Sequence, residues 1–294
     1  MAMHQLLPAI GFGSIKSKKQ IYQILDRMEI ENRNYERICL EEDIDFVEYS
    51  AEFADGIGIM VNGDMDVNGD ILEQWTYYPY LYGSQVSSCA PTTVEKRTDQ
   101  DSFVGICEDS RVGVSLMFHV LNVADYLKAC QKHMAKAEPK SVSFSALANH
   151  GTILLPVMKN EDQAQEQKKD VENRRQLLNA AKSGDQLAIE SLTLDDIDTY
   201  SQVAMRLTKE DIFSIVETSF MPMGFECDKY TILGTIMELD RDVNVITGEE
   251  LYIMQLEINE MLLDLCVPAA GLAGEPAVGR RFRGNIWLQG WLTL

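Results

Sequence analysis

The chain has 294 residues, and 46% of them are hydrophobic, which is enough apolar material for one large core or two smaller ones. Its 46 acidic and 26 basic residues give a formal net charge of -20 at pH 7, which opposes general binding to phosphate backbones and anionic membranes. The first residues lack a basic segment followed by a long apolar run, and no stretch approaches about 18 apolar residues, so neither a secretory signal nor a membrane span is expected.

The six cysteines are widely spaced, and no two of them form a Cys-x-x-Cys pair. Several lie between apolar neighbours, as in Ile38-Cys39-Leu40 and Leu265-Cys266-Val267, which is typical of buried structural thiols. Because no export signal is expected either, the pattern predicts reduced thiols in a cytoplasmic protein without a disulfide framework.

The first region, 1–157, is predicted to be an α+β domain. Apolar residues from Ile21 to Met28 recur at helical spacing after Ser17, a suitable N-cap, and predict the first helix. Short apolar runs separated by Asn-Gly and Asp-Ser turns then predict a mixed but mostly antiparallel sheet. A second helix is predicted over 122–137, and a β-hairpin over 141–157.

The second region, 158–223, is predicted to be a charged helical connector. Polar and charged residues dominate from Lys159 to Gln176, which is typical of a solvated helix or a mobile linker. Helical segments are predicted to continue as far as Phe220. The acids near the start of one of them, at 195, 196 and 198, complement a helix dipole, and this explains them without a catalytic role.

The third region, 224–294, is predicted to be a small β-barrel. Five short apolar segments separated by turn signals suit a Greek-key barrel, of which an OB-like barrel is one form. The predicted strands are 230–239, 243–246, 251–258, 261–267 and 282–294, the last of them interrupted at Gly290. Three arginines lie at the start of the last strand or just before it and would lie at the mouth or edge of the barrel, where they either bind a ligand or pair with the acidic surface: Arg280, Arg281 and Arg283.

An aromatic run from Trp75 to Tyr82 is a candidate ligand-binding strand. Alternation places Trp75 and Tyr77 on one face, and Tyr78 and Tyr80 on the other. Tyrosine-rich faces offer large, rigid contact areas at low entropic cost, although they also form ordinary sheet surfaces. Both interpretations stay open from the sequence.

One acidic turn resembles the opening of an EF-hand calcium loop. Asp64, Asp66, Asn68 and Asp70 occupy the first, third, fifth and seventh positions, with a glycine at the sixth. Position twelve is Trp75, where a bidentate glutamate is expected, and the flanking residues predict strands. A hairpin with a polar Asn-Gly turn therefore explains these residues without an ion, and calcium is the alternative.

Six stretches of the chain carry a resemblance to a known family: Ala9-Ile-Gly-Phe12, Asp101-Ser-Phe-Val-Gly-Ile-Cys-Glu-Asp109, Ile189-Glu-Ser-Leu-Thr-Leu-Asp-Asp-Ile-Asp198, Phe220-Met-Pro-Met-Gly224, Glu226-Cys-Asp228 and Gly279-Arg-Arg-Phe-Arg-Gly-Asn-Ile-Trp-Leu-Gln-Gly290. They resemble the uncharacterised bacterial family catalogued as domain of unknown function 3881, which occurs in clostridial Firmicutes. The resemblance spans nearly the whole chain, but it implies no activity, cofactor or catalytic residue.

The sequence contains no complete catalytic motif, which favours a non-catalytic protein that binds a protein or a small ligand. The binding elements would be the aromatic strand or the C-terminal barrel, and no cofactor is expected unless the acidic turn binds calcium. One alternative is an enzyme whose carboxylates converge in space, such as Glu108, Asp109 and Asp228. Another is single-stranded nucleic-acid binding by the arginines of the C-terminal barrel together with Trp287 and Trp291, which the overall acidity opposes.

Overall fold

A computed structural model describes the chain at residues 3–31, 36–41, 44–66, 76–97, 102–157, 173, 176–177, 180–181, 185–188, 190–192, 216–224 and 228–294. These residues form mainly β-structure with few helices. Within them, no helix combines the length and the apolar composition that a membrane crossing requires.

Both helices predicted in the first region are confirmed. Helix α1 spans Lys18–Glu31, and helix α2 spans Val123–His133. A 3-10 helix at Leu7–Ile10 precedes α1 and buries its apolar side chains. Most of the predicted connector, 158–223, lies outside the described residues, apart from short helical pieces between 173 and 192 and a strand near its end.

In the part of the chain that the structure describes, the small sheet contains four antiparallel strands in sequence order: β1 at Glu36–Glu41, β2 at Ile44–Ala54, β3 at Ile57–Asp66 and β4 at Thr76–Leu81. Such a meander needs only short connections, which explains why turn signals in the sequence predict it. Strand β4 is the predicted aromatic strand.

Among the described residues, the large sheet contains 11 strands, in the order β10-β11-β12-β13-β8-β15-β7-β6-β5, with β9 and β14 beside this path. Its first strands are β5 at Thr92–Lys96, β6 at Phe103–Cys107, β7 at Leu116–Val120, β8 at Ser141–Leu147 and β9 at Gly151–Leu154. The remaining strands are β10 at Ser219–Pro222, β11 at Lys229–Val243, β12 at Glu250–Ile258, β13 at Met261–Pro268, β14 at Leu272–Ala273 and β15 at Arg281–Thr293.

Five strands of the large sheet pair in a circuit that returns to its start. Strand β11 pairs with β12, β12 with β13, β13 with β8, β8 with β15, and β15 again with β11. Four of these strands belong to the predicted C-terminal region, whereas β8 belongs to the first region. The hydrogen-bonded sheet therefore extends across both predicted domains.

The hairpin predicted over 141–157 is wrong, because its two strands pair with a third strand and not with each other. Strands β8 and β9 both pair with β15: β8 runs beside residues 288–293 of that strand, and β9 beside residues 281–284. Because β15 is 13 residues long, it offers enough edge for both strands in succession. The turn at Asn149-His150-Gly151 thus joins two strands that pair one after the other with the same strand, β15.

Three further strand predictions need correction. The predicted strand over 243–246 is the end of β11 followed by a turn. Strand β15 continues through Gly290 without interruption. Phe220 lies in strand β10, paired with Ile232, instead of ending a helix. Each error concerns a short apolar segment, for which periodicity alone does not separate strand from turn or helix.

Side-chain hydrogen bonds attach the edge of the small sheet to the large one. The fully buried Gln289 of β15 accepts a bond from Leu81 N at 3.2 Å and donates to Pro79 O at 2.8 Å. Ser145 of β8 donates to Leu81 O at 2.6 Å. These bonds satisfy backbone groups that an edge strand would otherwise leave unpaired in the interior, so they fix how β4 sits against β8 and β15.

Candidate functional site

Strand β4 is buried on both of its faces. The register places Tyr78 beside Met60 and Tyr77 beside Val61, so the predicted alternation of side chains is confirmed. Tyr77, Tyr78 and Tyr80 are all buried, and they share one apolar cluster with the 3-10 helix and α1. The tyrosines therefore line the interior between layers, and Trp75 lies outside the described residues.

Four aromatic rings meet where β4, β7, β15 and the N-terminal segment come together. The ring centroid of His119 lies 4.3 Å from that of Tyr78, in an edge-to-face arrangement, and 4.9 Å from that of Trp287. His4 contacts Trp287 at 5.0 Å. The indole of Trp287 is thus flanked by two imidazoles. We call Glu48, Tyr78, His119, Trp287 and His4 the polar-aromatic cluster.

Burial keeps both imidazoles of the cluster uncharged. Desolvation lowers the pKa of His119 to about 3, and electrostatic interactions with His4 and Arg97 act in the same direction. Desolvation also lowers the pKa of His4 to about 4, with a further decrease from Lys229 that Asp228 opposes. Near pH 7 both side chains are neutral and offer one donor and one acceptor each.

Glu48 on β2 is the carboxyl group of the cluster, and burial raises its pKa to about 8. Its Oε1 accepts a hydrogen bond from Ala124 N at 3.3 Å, so Glu48 on strand β2 caps the first turn of helix α2. That bond lowers the pKa, whereas the nearby charges of Asp125 and Glu36 raise it further. The charge of Glu48 also contributes to the raised pKa of Tyr78, whose largest cause is burial.

Three buried polar atoms of the cluster form no hydrogen bond with any residue that the structure describes: Glu48 Oε2, Tyr78 Oη and His119 Nε2. They come from β2, β4 and β7, three strands of two different sheets. A buried polar atom without a partner is unfavourable by about 1–3 kcal/mol, so each of the three would gain from a hydrogen-bonding partner.

An ion pair borders the cluster on the Trp287 side. Asp228 accepts hydrogen bonds from Trp287 Nε1 at 3.0 Å and from Arg97 Nη1 at 3.3 Å. Asp228 is buried, and its backbone oxygen also accepts a bond from Leu288 N at 2.8 Å. These contacts give Asp228 a structural task, which is to hold the indole of Trp287 in place.

The other acids considered for proton transfer are engaged elsewhere. Asp109 is bound by Arg111 at 2.6 Å and by Ser88 Oγ at 2.5 Å. Burial alone would raise the pKa of Asp109, but the hydrogen bonds from Arg111 and Ser88 outweigh it and lower the pKa to about 2. Glu108 is exposed and accepts a bond from Ser115 Oγ at 2.9 Å. Asp109 is therefore an ionised structural partner of Arg111, not a proton donor near neutral pH.

The three C-terminal arginines do not share one environment. Arg283 is exposed, and Arg280 donates to Glu275 O at 2.5 Å. Arg281 is only 4% exposed and donates to Leu155 O at 2.9 Å and to Val216 O at 2.8 Å. Burial lowers the pKa of Arg281, and Glu217 raises it. Arg281 thus ties together chain segments that are 61 residues apart in the sequence, before β10 and after β9.

Replacing Arg281 with methionine is expected to lower the free energy of unfolding by roughly 1–3 kcal/mol, because two carbonyl oxygens lose their donor. Lysine at this position should recover only part of the loss, since one ammonium group does not reproduce the guanidinium fork. Urea unfolding of R281M, R281K and the exposed control R283M measures the difference. Equal stability of R281M and R283M would contradict the assigned role.

The acidic turn is only partly described. Asp64 and Asp66 lie on strand β3, in register with Phe46 and Ile44 of β2, whereas Asn68 and Asp70 lie outside the described residues. Among the described residues, no three His, Cys, Asp or Glu side chains are grouped so that they could hold a metal ion. The calcium hypothesis stays a prediction. Strand β3 agrees with the strand predicted before the polar Asn-Gly turn.

Sequence reasoning found Tyr78 and Trp287 but missed Glu48, His119 and His4. Glu48 lies in an alternating strand among other acids, and nothing in the pattern distinguishes it from the exposed Glu52. His119 offered a signal, because a single histidine within the apolar run Leu116–Val120 must be buried with its polar atoms. The contact of His119 with Tyr78 and Trp287 depends on how the two sheets pack.

Comparison with curated proteins and with solved structures found no match. A family model, described as a domain of unknown function with an E. rectale gene description, matches residues 7–290. The matched range contains the whole polar-aromatic cluster except His4. Because the match covers nearly the entire chain, the protein belongs to this family, DUF3881.

Proposed function

We propose that the protein is a non-catalytic binding protein, and that a small ligand is held between the two sheets at the polar-aromatic cluster. The observation that carries the proposal is the group of three buried polar atoms, Glu48 Oε2, Tyr78 Oη and His119 Nε2, without partners among the described residues. The cluster joins Tyr78 of the aromatic strand and Trp287 of the C-terminal strand β15, the two elements for which sequence analysis predicts binding.

The ligand of this site is small, polar and uncharged. Small size follows from the ring contacts, because centroid distances of 4.3 and 4.9 Å around His119 leave no gap for another ring between them. Lack of charge follows from the protonation states, because Glu48 with a pKa of about 8 and His119 with a pKa of about 3 are both neutral near pH 7. A charged ligand would be desolvated there without a counter-ion.

The same groups support binding over catalysis. Glu48 is fixed as a cap of α2 by Ala124 N, and Asp228 is fixed by Arg97 and Trp287. The cluster offers hydrogen-bonding atoms in an aromatic enclosure, which is the chemistry of recognition.

The experiment follows Trp287 as the reporter. The chain has three tryptophans, so a W75F/W291F background leaves Trp287 as the only one. Emission is recorded during titration with small uncharged amides and alcohols, namely acetamide, urea and ethylene glycol, and molecules released on denaturation of the purified protein are identified by mass spectrometry. We expect a saturable change in emission or one equimolar released compound.

Matched variants separate the site from general effects. Y78F removes the phenol oxygen and H119F removes both imidazole nitrogens, and each variant should weaken binding by roughly tenfold, as expected for about 1.4 kcal/mol. Y82F, at a half-buried position one residue beyond β4, should leave binding unchanged. The proposal fails if no probe alters Trp287 emission and no compound is released, or if a crystal structure of the purified protein has only water at these atoms.

We also propose that the circuit of β8, β11, β12, β13 and β15 is a small barrel. The return of the pairing from β15 to β11 supports this, because closure removes free edges from the five strands. An OB-like form and the binding of single-stranded nucleic acid remain predictions for this unit. Burial of Arg281 and Trp287 leaves Arg280 and Arg283 as the more accessible basic groups of the predicted set.

A cytoplasmic location is proposed on the state of the cysteines. Four of them, in the described part of the chain, are free thiols: Cys89, Cys107, Cys130 and Cys266. Free thiols persist in reducing compartments, which supports this location.

A further inference from the structure

The turn between β11 and β12 presents three aliphatic side chains to solvent. The exposed fractions are 44% for Val243, 75% for Val245 and 47% for Ile246. Single exposed aliphatic residues are common on protein surfaces, but three within four positions form a local apolar surface. We call these three residues the apolar turn.

Hydrogen bonds hold the backbone of the apolar turn rigidly. Asn244 is fully buried, and its side-chain oxygen accepts bonds from Ile246 N at 2.9 Å and Thr247 N at 3.1 Å. Its side-chain nitrogen donates to Ile10 O at 2.8 Å. Val245 N donates to Phe53 O at 2.8 Å. The side chains of the apolar turn are therefore displayed by a fixed scaffold, which reduces the entropy lost on binding a partner.

The surroundings of the apolar turn are acidic. Asp240 and Glu250 are exposed on the two strands that lead into and out of the turn, and Asp55 is exposed on the neighbouring loop. Asp55 N donates to Asp242 Oδ2 at 2.8 Å, so the two acids lie side by side. The basic residue Arg241 is engaged with the ring of Tyr252, 4.8 Å from its centroid. A protein that docks here meets aliphatic contacts within a negative field.

We infer that the apolar turn is a docking surface for a protein partner whose contact face is apolar and flanked by lysine or arginine side chains. Three aliphatic anchors suit a small, transient interface in which a few central residues dominate affinity. The surrounding acids attract a basic partner and accelerate its association. This surface is separate from the polar-aromatic cluster, and it does not depend on the proposed small ligand.

The test uses a labelled synthetic peptide in which leucine and lysine alternate, with binding measured by fluorescence anisotropy at low salt and at high salt. We expect V245S/I246S to bind the peptide about tenfold more weakly than the wild type, which corresponds to the loss of two aliphatic contacts. The control V86S/V278S changes two exposed valines elsewhere, 52% and 64% exposed, and should bind as the wild type does. High salt should weaken peptide binding to the wild type and to both double variants by the same factor.

Three outcomes would overturn the inference. The first is a wild type that does not bind the peptide. The second is an equal effect of the two double variants, which would show that binding depends on net charge alone. The third is a dimer in analytical ultracentrifugation that V245S/I246S abolishes, because the occupant would then be a second copy of the chain. Thermal unfolding of both variants checks that the serines leave the fold intact, as expected for exposed positions.

Discussion

Replacing Glu48 with glutamine is expected to stabilise the protein above pH 8 by roughly 3–5 kcal/mol and to change its stability by less than about 1 kcal/mol near pH 5. The folded protein holds Glu48 protonated up to a pKa of about 8, whereas the ordinary pKa of a glutamate is 4.5. Glutamine retains the oxygen that accepts the bond from Ala124 N, and it carries no charge that burial could disfavour.

The direction of the effect follows from the protons bound in each state. Between pH 4.5 and 8 the unfolded chain has released the Glu48 proton and the folded protein has not, so the wild type loses stability as the pH rises through this window. Below it, both states are protonated and the difference vanishes. Protonation of His4 and His119 in the unfolded chain has the opposite effect on stability below the ordinary histidine pKa of 6.5, but it acts equally on the wild type and E48Q.

Urea unfolding of the wild type and E48Q at pH 5, 7 and 9 measures the difference directly. The matched control is E52Q, which removes the same charge from an exposed position on the same strand. Its stability should stay within about 0.5 kcal/mol of the wild type at every pH. Parallel pH profiles for the wild type and E48Q would mean that Glu48 is ionised in the folded protein.

Local pattern was sufficient to predict both helices of the first region and most of the described strands. Helical spacing from Ile21 to Met28 marked α1, and alternation along β4 assigned Tyr77 and Tyr78 to opposite faces. These features depend on residues a few positions apart, whose relation is fixed by the repeat of the helix or strand itself. The resemblance to the family, quoted from motifs along the chain, was likewise confirmed.

The sequence pattern did not predict which distant strands pair with each other. Nothing in the alternation of β8 indicates that Ala146 lies opposite Leu288, because many apolar strands offer an equivalent edge. The burial of the tyrosines on β4 could not be predicted either, because an aromatic strand that suits a sheet surface also suits the space between two layers. The polar-aromatic cluster exists only where β2, β4, β7 and β15 meet, so Glu48 and His119 gain their unusual environments from tertiary packing.

Alanine at Gly105 or Gly290 is expected to lower the free energy of unfolding by roughly 2–3 kcal/mol or more, because both glycines make room for the ring of Phe118. Gly105 lies directly opposite Phe118 in the β6–β7 pair, and the ring is completely buried against Phe144. A Cβ atom at Gly290 would lie 2.5 Å from Phe118 Cδ2 and 2.9 Å from Val142 Cγ1, closer than real carbon contacts allow.

The matched control is the same alanine in a background with a smaller side chain at position 118. F118L leaves space where the ring lay, so G105A should be much less harmful in F118L than in the wild type, with a coupling energy of about 0.5–3 kcal/mol. Urea unfolding of the four proteins in this cycle supplies the coupling. If the two changes are additive, the ring and the glycines are not in competition for space. Side chains alternate along β7, so Phe118 packs in one core while the next residue, His119, enters the polar-aromatic cluster. A displaced Phe118 ring should therefore also disturb the contact between His119 and Trp287.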